Sequence, residues 1–486
     1  MTATLPRVPS GHYIDGKWSA AASGRTFAVE NPATETLLAE VADGGAEDAD
    51  RAMRAAAAAQ PAWAATAPRE RSEILRRAYE LIIERTDELA TLMTLEMGKP
   101  LAEARGEVAY GAEFFRWFAE EAVRIDGGNM LTGDGGKRIL VSKVPVGPCV
   151  LVTPWNFPLA MGTRKIGPAI AAGCTMVFKP AQLTPLTALA LTEILDEAGL
   201  PAGVLNVVTT SDAGAVVTPW LEGGAARKLS FTGSTEVGKR LLAQAASTVM
   251  RTSMELGGNA PFIVCADADI DAAVEGALVA KLRNMGEACT AANRFYVHSS
   301  VVAAFSEKLA QRMSALTVGD GSAEGTDIGP LINAAGLAKV RRLVADAVDR
   351  GARPLCGAPN PDDSDGRGHF YPPTVLCEVP DDAELMGTEI FGPVAAITTF
   401  EDEDEAITRA NDTPWGLVGY LYTRDLDRAL QLSDQMEVGM VGLNTGLVSN
   451  PAAPFGGVKE SGLGREGGRV GIDEYLEYKY IAVATS

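Results

Sequence analysis

The stretch Asn284-Met-Gly-Glu-Ala-Cys289-Thr-Ala-Ala-Asn-Arg294 sets a cysteine among small and polar residues beside a glycine turn. A nucleophilic thiol needs partial exposure and neighbours that favour its thiolate, and a turn after an amphipathic helix offers unpaired backbone N–H groups. Cys289 is therefore the candidate nucleophile, with a buried loop thiol as the competing reading. The other five cysteines read as packed away. Cys149, Cys174, Cys265 and Cys377 border short apolar runs of strand character, where cysteine behaves as a small hydrophobe.

Two glycine motifs suggest phosphate binding and need separating. Gly462-Leu-Gly464-Arg-Glu-Gly467 matches the dinucleotide pattern literally, but follows Pro454-Phe-Gly-Gly-Val-Lys-Glu-Ser rather than a buried strand, so a backbone turn is expected. Gly233-Ser-Thr-Glu-Val-Gly238 follows the apolar run Leu229-Ser-Phe and opens a helix, so Gly233 and Ser234 either face an anion at the helix N-terminus or simply cap it.

The elements that must carry these residues alternate. Residues 46–125 are patterned as helices and end at Gly127-Gly128. After an exposed strand from Lys137, strands at 149–153, 175–178, 204–208 and 229–231 alternate with helices past Pro158 and from Thr184. A second alternating block starts near Pro261, runs through a helix at 270–284 into Cys289, and continues with a strand at 295–297 and a helix from Val301. The pattern predicts two α/β domains with parallel sheets. The acidic runs at Asp362 and Glu401 are expected to be solvated loop or helix-start surface.

Composition narrows the function. The 486 residues are 47% hydrophobic and 22% charged with a net charge of −20, which is globular and lacks the basic footprint of a nucleic-acid or anionic-membrane binder. Six cysteines without paired spacing are no disulfide framework, and His12, His298 and His369 are too scattered for zinc. The N-terminal segment lacks a signal-peptide core, which predicts a cytoplasmic protein.

Taken together, Thr153-Pro-Trp155-Asn156-Phe-Pro, Lys179-Pro, Phe231-Thr-Gly-Ser-Thr-Glu-Val-Gly, Glu255-Leu-Gly-Gly-Asn, Cys289 and Glu389-Ile-Phe391-Gly-Pro resemble the aldehyde dehydrogenase superfamily, in its order and over essentially the whole chain. The resemblance implies a Rossmann-like cofactor domain (1–122 and 146–257), an α/β catalytic domain (258–458) and a small β oligomerisation flap (123–145 and 471–486) that joins a homodimer or homotetramer. It implies that Cys289 attacks the aldehyde, that Asn156 and the Cys289 N–H hold the oxyanion, and that Glu255 activates the water that cleaves the thioester. Around an NAD or NADP cofactor it implies Thr153, Trp155, Lys179, Gly233, Ser234, Glu389 and Phe391. Two departures stand out: Gln182 replaces the Glu of many NAD-preferring members, which removes repulsion toward a 2′-phosphate, so NADP is expected to serve at least as well as NAD. Glu287 replaces a more frequent Gln.

Within the superfamily, the wording around Arg164, Arg283 and Ser449 is most similar to succinate-semialdehyde dehydrogenases, and these three match the residues that grip the substrate's distal carboxylate. Two guanidiniums in a largely apolar tunnel favour an acid-bearing aldehyde. The competing reading for either arginine is pairing with an internal carboxylate. Glutarate semialdehyde and sulfolactaldehyde are the alternative substrates.

Overall fold

The computed structural model describes residues 4–357 and 367–484. The acidic run at Asp362 lies outside the described residues. The run at Glu401 starts a helix, where Asp402 accepts hydrogen bonds from the Asp404 and Glu405 N–H groups and caps Glu403–Asn411.

Four helices, Ala46–Ala65, Pro68–Glu84, Thr86–Met97 and Leu101–Glu121, occupy the helical stretch. Pro68 starts the second, where its missing N–H costs nothing, and Gly98 at φ 96° ends the third in the left-handed region open to glycine. The last helix buries Phe114, Phe115 and Phe118, each contributing about 1.5–3 kcal/mol of apolar burial. Gly167 of the helix Ala160–Ala172 packs against this row, and a Cβ there would sit 3.2 Å from Phe115 and Phe118.

Two parallel sheets follow, as the alternation predicts. The first is eight-stranded, with the parallel core Leu205–Val207, Met176–Lys179, Cys149–Val152, Lys228–Thr232 and Arg251–Glu255. Its edges are a hairpin at His12–Ile14 and Lys17–Ser19 on one side and Gly462–Leu463 on the other. The glycine motif at 462 is thus an edge strand, paired antiparallel with Met254 and Glu255. The second sheet is seven-stranded, with Thr374–Cys377, Val394–Phe400, Ala292–His298, Ala260–Val264, Val418–Tyr422 and Met440–Leu443 parallel, and Arg353–Cys356 antiparallel at one edge. A separate three-stranded sheet joins Gly128–Leu131, Lys137–Pro145 and Leu476–Ala484.

Two expectations need correction. The helix into Cys289 ends at Leu282, because Asn284, Met285 and Gly286 all take positive φ (56°, 55° and 78°) and break the helical ladder. Cys356, on the edge strand, is half-buried rather than packed away. Among the described residues no helix is long and apolar enough to cross a membrane, and no cluster of His, Cys, Asp and Glu is arranged to hold a metal.

Candidate active site

The C-terminal ends of the first sheet's parallel strands face the N-terminal ends of the second sheet's. Asn156 follows the strand Cys149–Val152, Gly233 and Ser234 follow Lys228–Thr232, and Glu255 ends Arg251–Glu255. From the other side, Cys289 lies just before Ala292–His298, and Glu389 and Phe391 just before Val394–Phe400. A cavity of about 390 Å³ brings together Trp155, Asn156, Gly233, Ser234, Glu255, Cys289, Glu389 and Phe391. Ligand crevices at the carboxyl ends of parallel strands are the general expectation for open α/β sheets.

Cys289 is half-buried, and its backbone N–H makes no hydrogen bond among the described residues. The Asn156 Nδ2 donates one hydrogen bond to the Glu287 carbonyl at 2.9 Å, which leaves its second N–H uncommitted in the cavity wall. Two N–H donors therefore flank the thiol. Burial pushes the Cys289 thiol up to about 12, opposed by the positive charges of Arg164 and Arg283 and reinforced by Glu389 and Glu255, so its surroundings favour the neutral thiol. The turn that presents it is strained. Each left-handed non-glycine residue costs about 1–2 kcal/mol, Asn less than most, and Gly286 is obligatory because a Cβ there would lie 2.2 Å from the Gly392 carbonyl oxygen.

Glu255 is buried with both carboxyl oxygens unpartnered. Burial, reinforced by the nearby Glu466, raises its carboxyl well above the usual range despite Arg164, Lys165 and Arg465. Glu466 itself is matched by Arg164 at 2.6 Å and Lys165 at 2.5 Å, two cations that outweigh burial and keep it ionised. Sequence reasoning missed this cluster. The signal was the Glu inside a glycine-rich turn, but its partners lie some 300 positions earlier (|i−j| = 301 for Lys165).

On the cofactor side, Ser234 lines the cavity and caps the helix Thr235–Ala246, accepting from the Val237 N–H at 3.4 Å. Glu389 accepts from the Gly258 N–H at 3.3 Å, and burial raises its carboxyl to about 7. The Phe391 ring meets Trp155 edge-on at 5.5 Å between centroids. Thr153, Lys179 and Gln182 do not line this cavity. Thr153 is buried, while Gln182 is exposed at the mouth of a separate hollow with Leu183, Asn333 and His369. Lys179 has no ion pair, and burial alone lowers its ammonium to about 8.

A neighbouring cavity of about 580 Å³ is lined by Arg283 and Ser449 and shares Phe157 with the first. The Arg283 guanidinium sits 4.8 Å from the Phe157 ring and 5.4 Å from Tyr110, donates to the Ser449 Oγ at 3.1 Å, and has no carboxylate partner among the described residues. Arg164 departs from expectation. It is fully buried, lines neither cavity, pairs with Glu466 and stacks 4.2 Å over Phe455, because a guanidinium sealed in apolar surroundings needs a permanent counter-charge. The internal-carboxylate reading describes Arg164, not Arg283.

This cleft is that of a dehydrogenase: the family profile described as aldehyde dehydrogenase matches residues 18–481, and the chain belongs to the aldehyde dehydrogenase family. Among its relatives, a succinate-semialdehyde dehydrogenase of Paenarthrobacter nicotinovorans is 59% identical over 449 residues, 92% of this chain and 99% of its own. A glutarate-semialdehyde dehydrogenase of Pseudomonas putida is 51% identical over 472 residues, 97% of each chain. The crystal structure of an NADP-dependent enzyme of E. coli matches with a TM-score of 0.96 at 50% identity, covering 98% of each chain.

Proposed function

We propose that the protein oxidises succinate semialdehyde to succinate, using NADP at least as well as NAD. The observation that carries the substrate is Arg283, a half-buried guanidinium with no direct ion pair among the described residues, which lines a cavity adjoining the nucleophile's and feels Glu103 only at longer range. A substrate carboxylate supplies the direct ion pair that Arg283 lacks, and Ser449 adds a hydroxyl to the same grip. The relative at 59% identity, named for this activity, supports the reading. Glutarate semialdehyde is the second reading, favoured by the size of the Arg283 cavity, about 580 Å³, and by the relative named for it.

In this reading Cys289 releases its thiol proton to solvent as its Sγ bonds to the aldehyde carbon, and the Asn156 side-chain N–H and Cys289 backbone N–H receive the developing oxyanion. A nicotinamide held by Trp155, Glu389 and Phe391 would supply the hydride acceptor, and loss of hydride from the carbon bonded to Sγ leaves a thioester on Cys289. Glu255, whose raised pKa makes it a stronger base than a solvated carboxylate, takes a proton from the water that cleaves the thioester. Arg164 and Lys165, matched by Glu466, hold positive charge near Glu255 without occupying the substrate cavity.

The residues present fit a dinucleotide. Glu389 offers a hydrogen-bond acceptor for a ribose, Ser234 and the N-terminus of the helix Thr235–Ala246 suit a pyrophosphate, and a Cβ at Gly257 would lie 3.1 Å from the Glu389 carboxylate. Lys179, a buried cation with no partner, and the neutral Gln182 suit a 2′-phosphate. The three-stranded sheet presents Met130, Leu131, Tyr478 and Tyr480 to solvent, each more than half exposed, and serves a homodimer or homotetramer.

A panel of four-carbon, five-carbon and neutral aldehydes, each with NAD and NADP, tests the reading through kcat/KM. Succinate semialdehyde is expected to lead. A neutral aldehyde of equal length used equally well would overturn it.

A further inference from the structure

The oxyanion donor Asn156 is held by a second asparagine whose role the reaction itself does not require. Asn284 is fully buried, and its side-chain Nδ2 lies 3.0 Å from the Asn156 carbonyl oxygen and 3.0 Å from the Glu287 carbonyl oxygen. The Glu287 carbonyl is the same oxygen that accepts from the Asn156 Nδ2 at 2.9 Å. One amide group thus fixes both the peptide that carries Asn156 and the acceptor that orients its side chain. The arrangement also sets the Asn156 amide the right way round, since a flipped amide would oppose Oδ1 to a carbonyl oxygen.

Asn284 adopts φ 56° and ψ 43°, a conformation that glycine would take more cheaply. Asparagine there supplies what glycine lacks, two N–H donors aimed at two buried carbonyls. The helix Leu101–Glu121 anchors the arrangement from outside. Glu103 accepts the Asn284 backbone N–H at 2.6 Å, and Glu107 accepts the Leu159 and Ala160 N–H groups at 3.0 and 3.1 Å. Lys99, paired with Glu107, donates to the Asn156 carbonyl at 2.8 Å.

We propose that Asn284 is a positioning residue for the oxyanion site: by clamping the Asn156 and Glu287 carbonyls, it aims the uncommitted N–H of Asn156 at the oxygen that becomes charged when Cys289 attacks. The inference rests on the reading of Cys289 as nucleophile and Asn156 as oxyanion donor. Asn284 touches no reacting atom and acts only through Asn156.

The test is a double-mutant cycle of Asn284→Gly and Asn156→Ala, read by the burst of reduced nicotinamide under single-turnover conditions and by iodoacetamide alkylation of Cys289. Glycine keeps the left-handed backbone, and Asn284→Asp, which tolerates the same φ while lacking the N–H donors, serves as the second variant. Loss of one oxyanion donor typically slows reaction by about 10²–10³-fold, so a misaimed donor is expected to slow the burst by about 10–100-fold. KM and the alkylation rate should stay within about twofold, and Asn284→Gly should add little in the Asn156→Ala background. If Asn156→Ala slows the burst but the Asn284 variants do not, or if the two losses multiply, the positioning role is wrong. Parallel loss of burst and alkylation in both Asn284 variants would assign the residue to the fold alone and overturn it too. An unchanged burst in Asn156→Ala would instead refute the oxyanion reading, and this inference with it.

Discussion

At the scale of single residues, burial rather than formal charge governs the chemistry. Because burial pushes the Cys289 thiol up to about 12, alkylation should keep rising with pH, without a plateau below about pH 9, and Cys289→Ala should abolish both alkylation and turnover. Glu255→Gln should leave one round of cofactor reduction and accumulate an acylated protein, detectable by mass spectrometry. With Glu255 present, release of that acyl group should climb as pH rises through its raised pKa, since only the ionised carboxyl accepts a proton. Glu287 now has a structural description: its Oε1 accepts the Ile332 N–H at 3.1 Å, its Oε2 is buried without a partner, and burial raises its carboxyl well above the usual range. A carboxyl raised on folding binds its proton more tightly in the native state, so its contribution to stability is retained below the ordinary Glu pKa and lost as pH rises toward the folded value. Glu287→Gln, which keeps the shape and supplies a neutral group, should therefore raise Tm more at pH 9 than at about pH 5. An equal shift at both would show that the carboxyl does not titrate there.

At the scale of elements, the two arginines separate because they leave their elements at different depths. Arg283 stands just past the end of Ile270–Leu282 on an open wall, whereas Arg164 lies inside the buried helix Ala160–Ala172. Arg283→Ala should cost roughly 2–5 kcal/mol in kcat/KM for an anionic aldehyde and far less for a neutral one. Arg164→Ala should impair both aldehydes alike and lower stability by about 3 kcal/mol, because it removes one of two cations from Glu466. Equal selectivity losses in the two variants would contradict this division. After the strand Met176–Lys179, Gln182→Glu should reduce NADP efficiency by about 1–4 kcal/mol while sparing NAD, measured as the ratio of kcat/KM values. Much of this was legible in the sequence. Parallel strands alternating with helices have a short period, and Asn156, Glu255, Cys289 and Glu389 sit in contiguous motifs with turn residues around them. The left-handed run at Asn284 was not legible, because apolar residues continue at helical spacing through Leu282 and Met285 while the Gly392 backbone that forces the turn comes from a distant strand connection. The partner of Arg164 was equally hidden, since pairing across some 300 positions (|i−j| = 301 for its neighbour Lys165) leaves no local pattern.

At the scale of the whole molecule, the first sheet and its cleft are completed by residues 462–484. Gly462 and Leu463 pair beside Glu255, Glu466 neutralises Arg164 and Lys165, and Leu476–Ala484 pairs along the whole of Lys137–Pro145. Until residues 462–484 are in place, Arg164 and Lys165 lack Glu466 and the buried Lys228 lacks Glu474. Domains ordinarily fold N-terminal first as they leave the ribosome, but here the surroundings of Glu255 depend on Gly462, Leu463 and Glu466, more than 200 positions later. Nascent chains arrested before residue 461 should remain open to protease across 149–255 and react with a thiol probe at Cys289 as an unstructured peptide would, whereas chains extended past residue 484 should resist both. Equal protection at the two lengths would mean that the first sheet tolerates its uncompensated charge. A chain that stops short of Glu466 therefore carries Arg164 and Lys165 beneath its first sheet with no carboxylate to meet them.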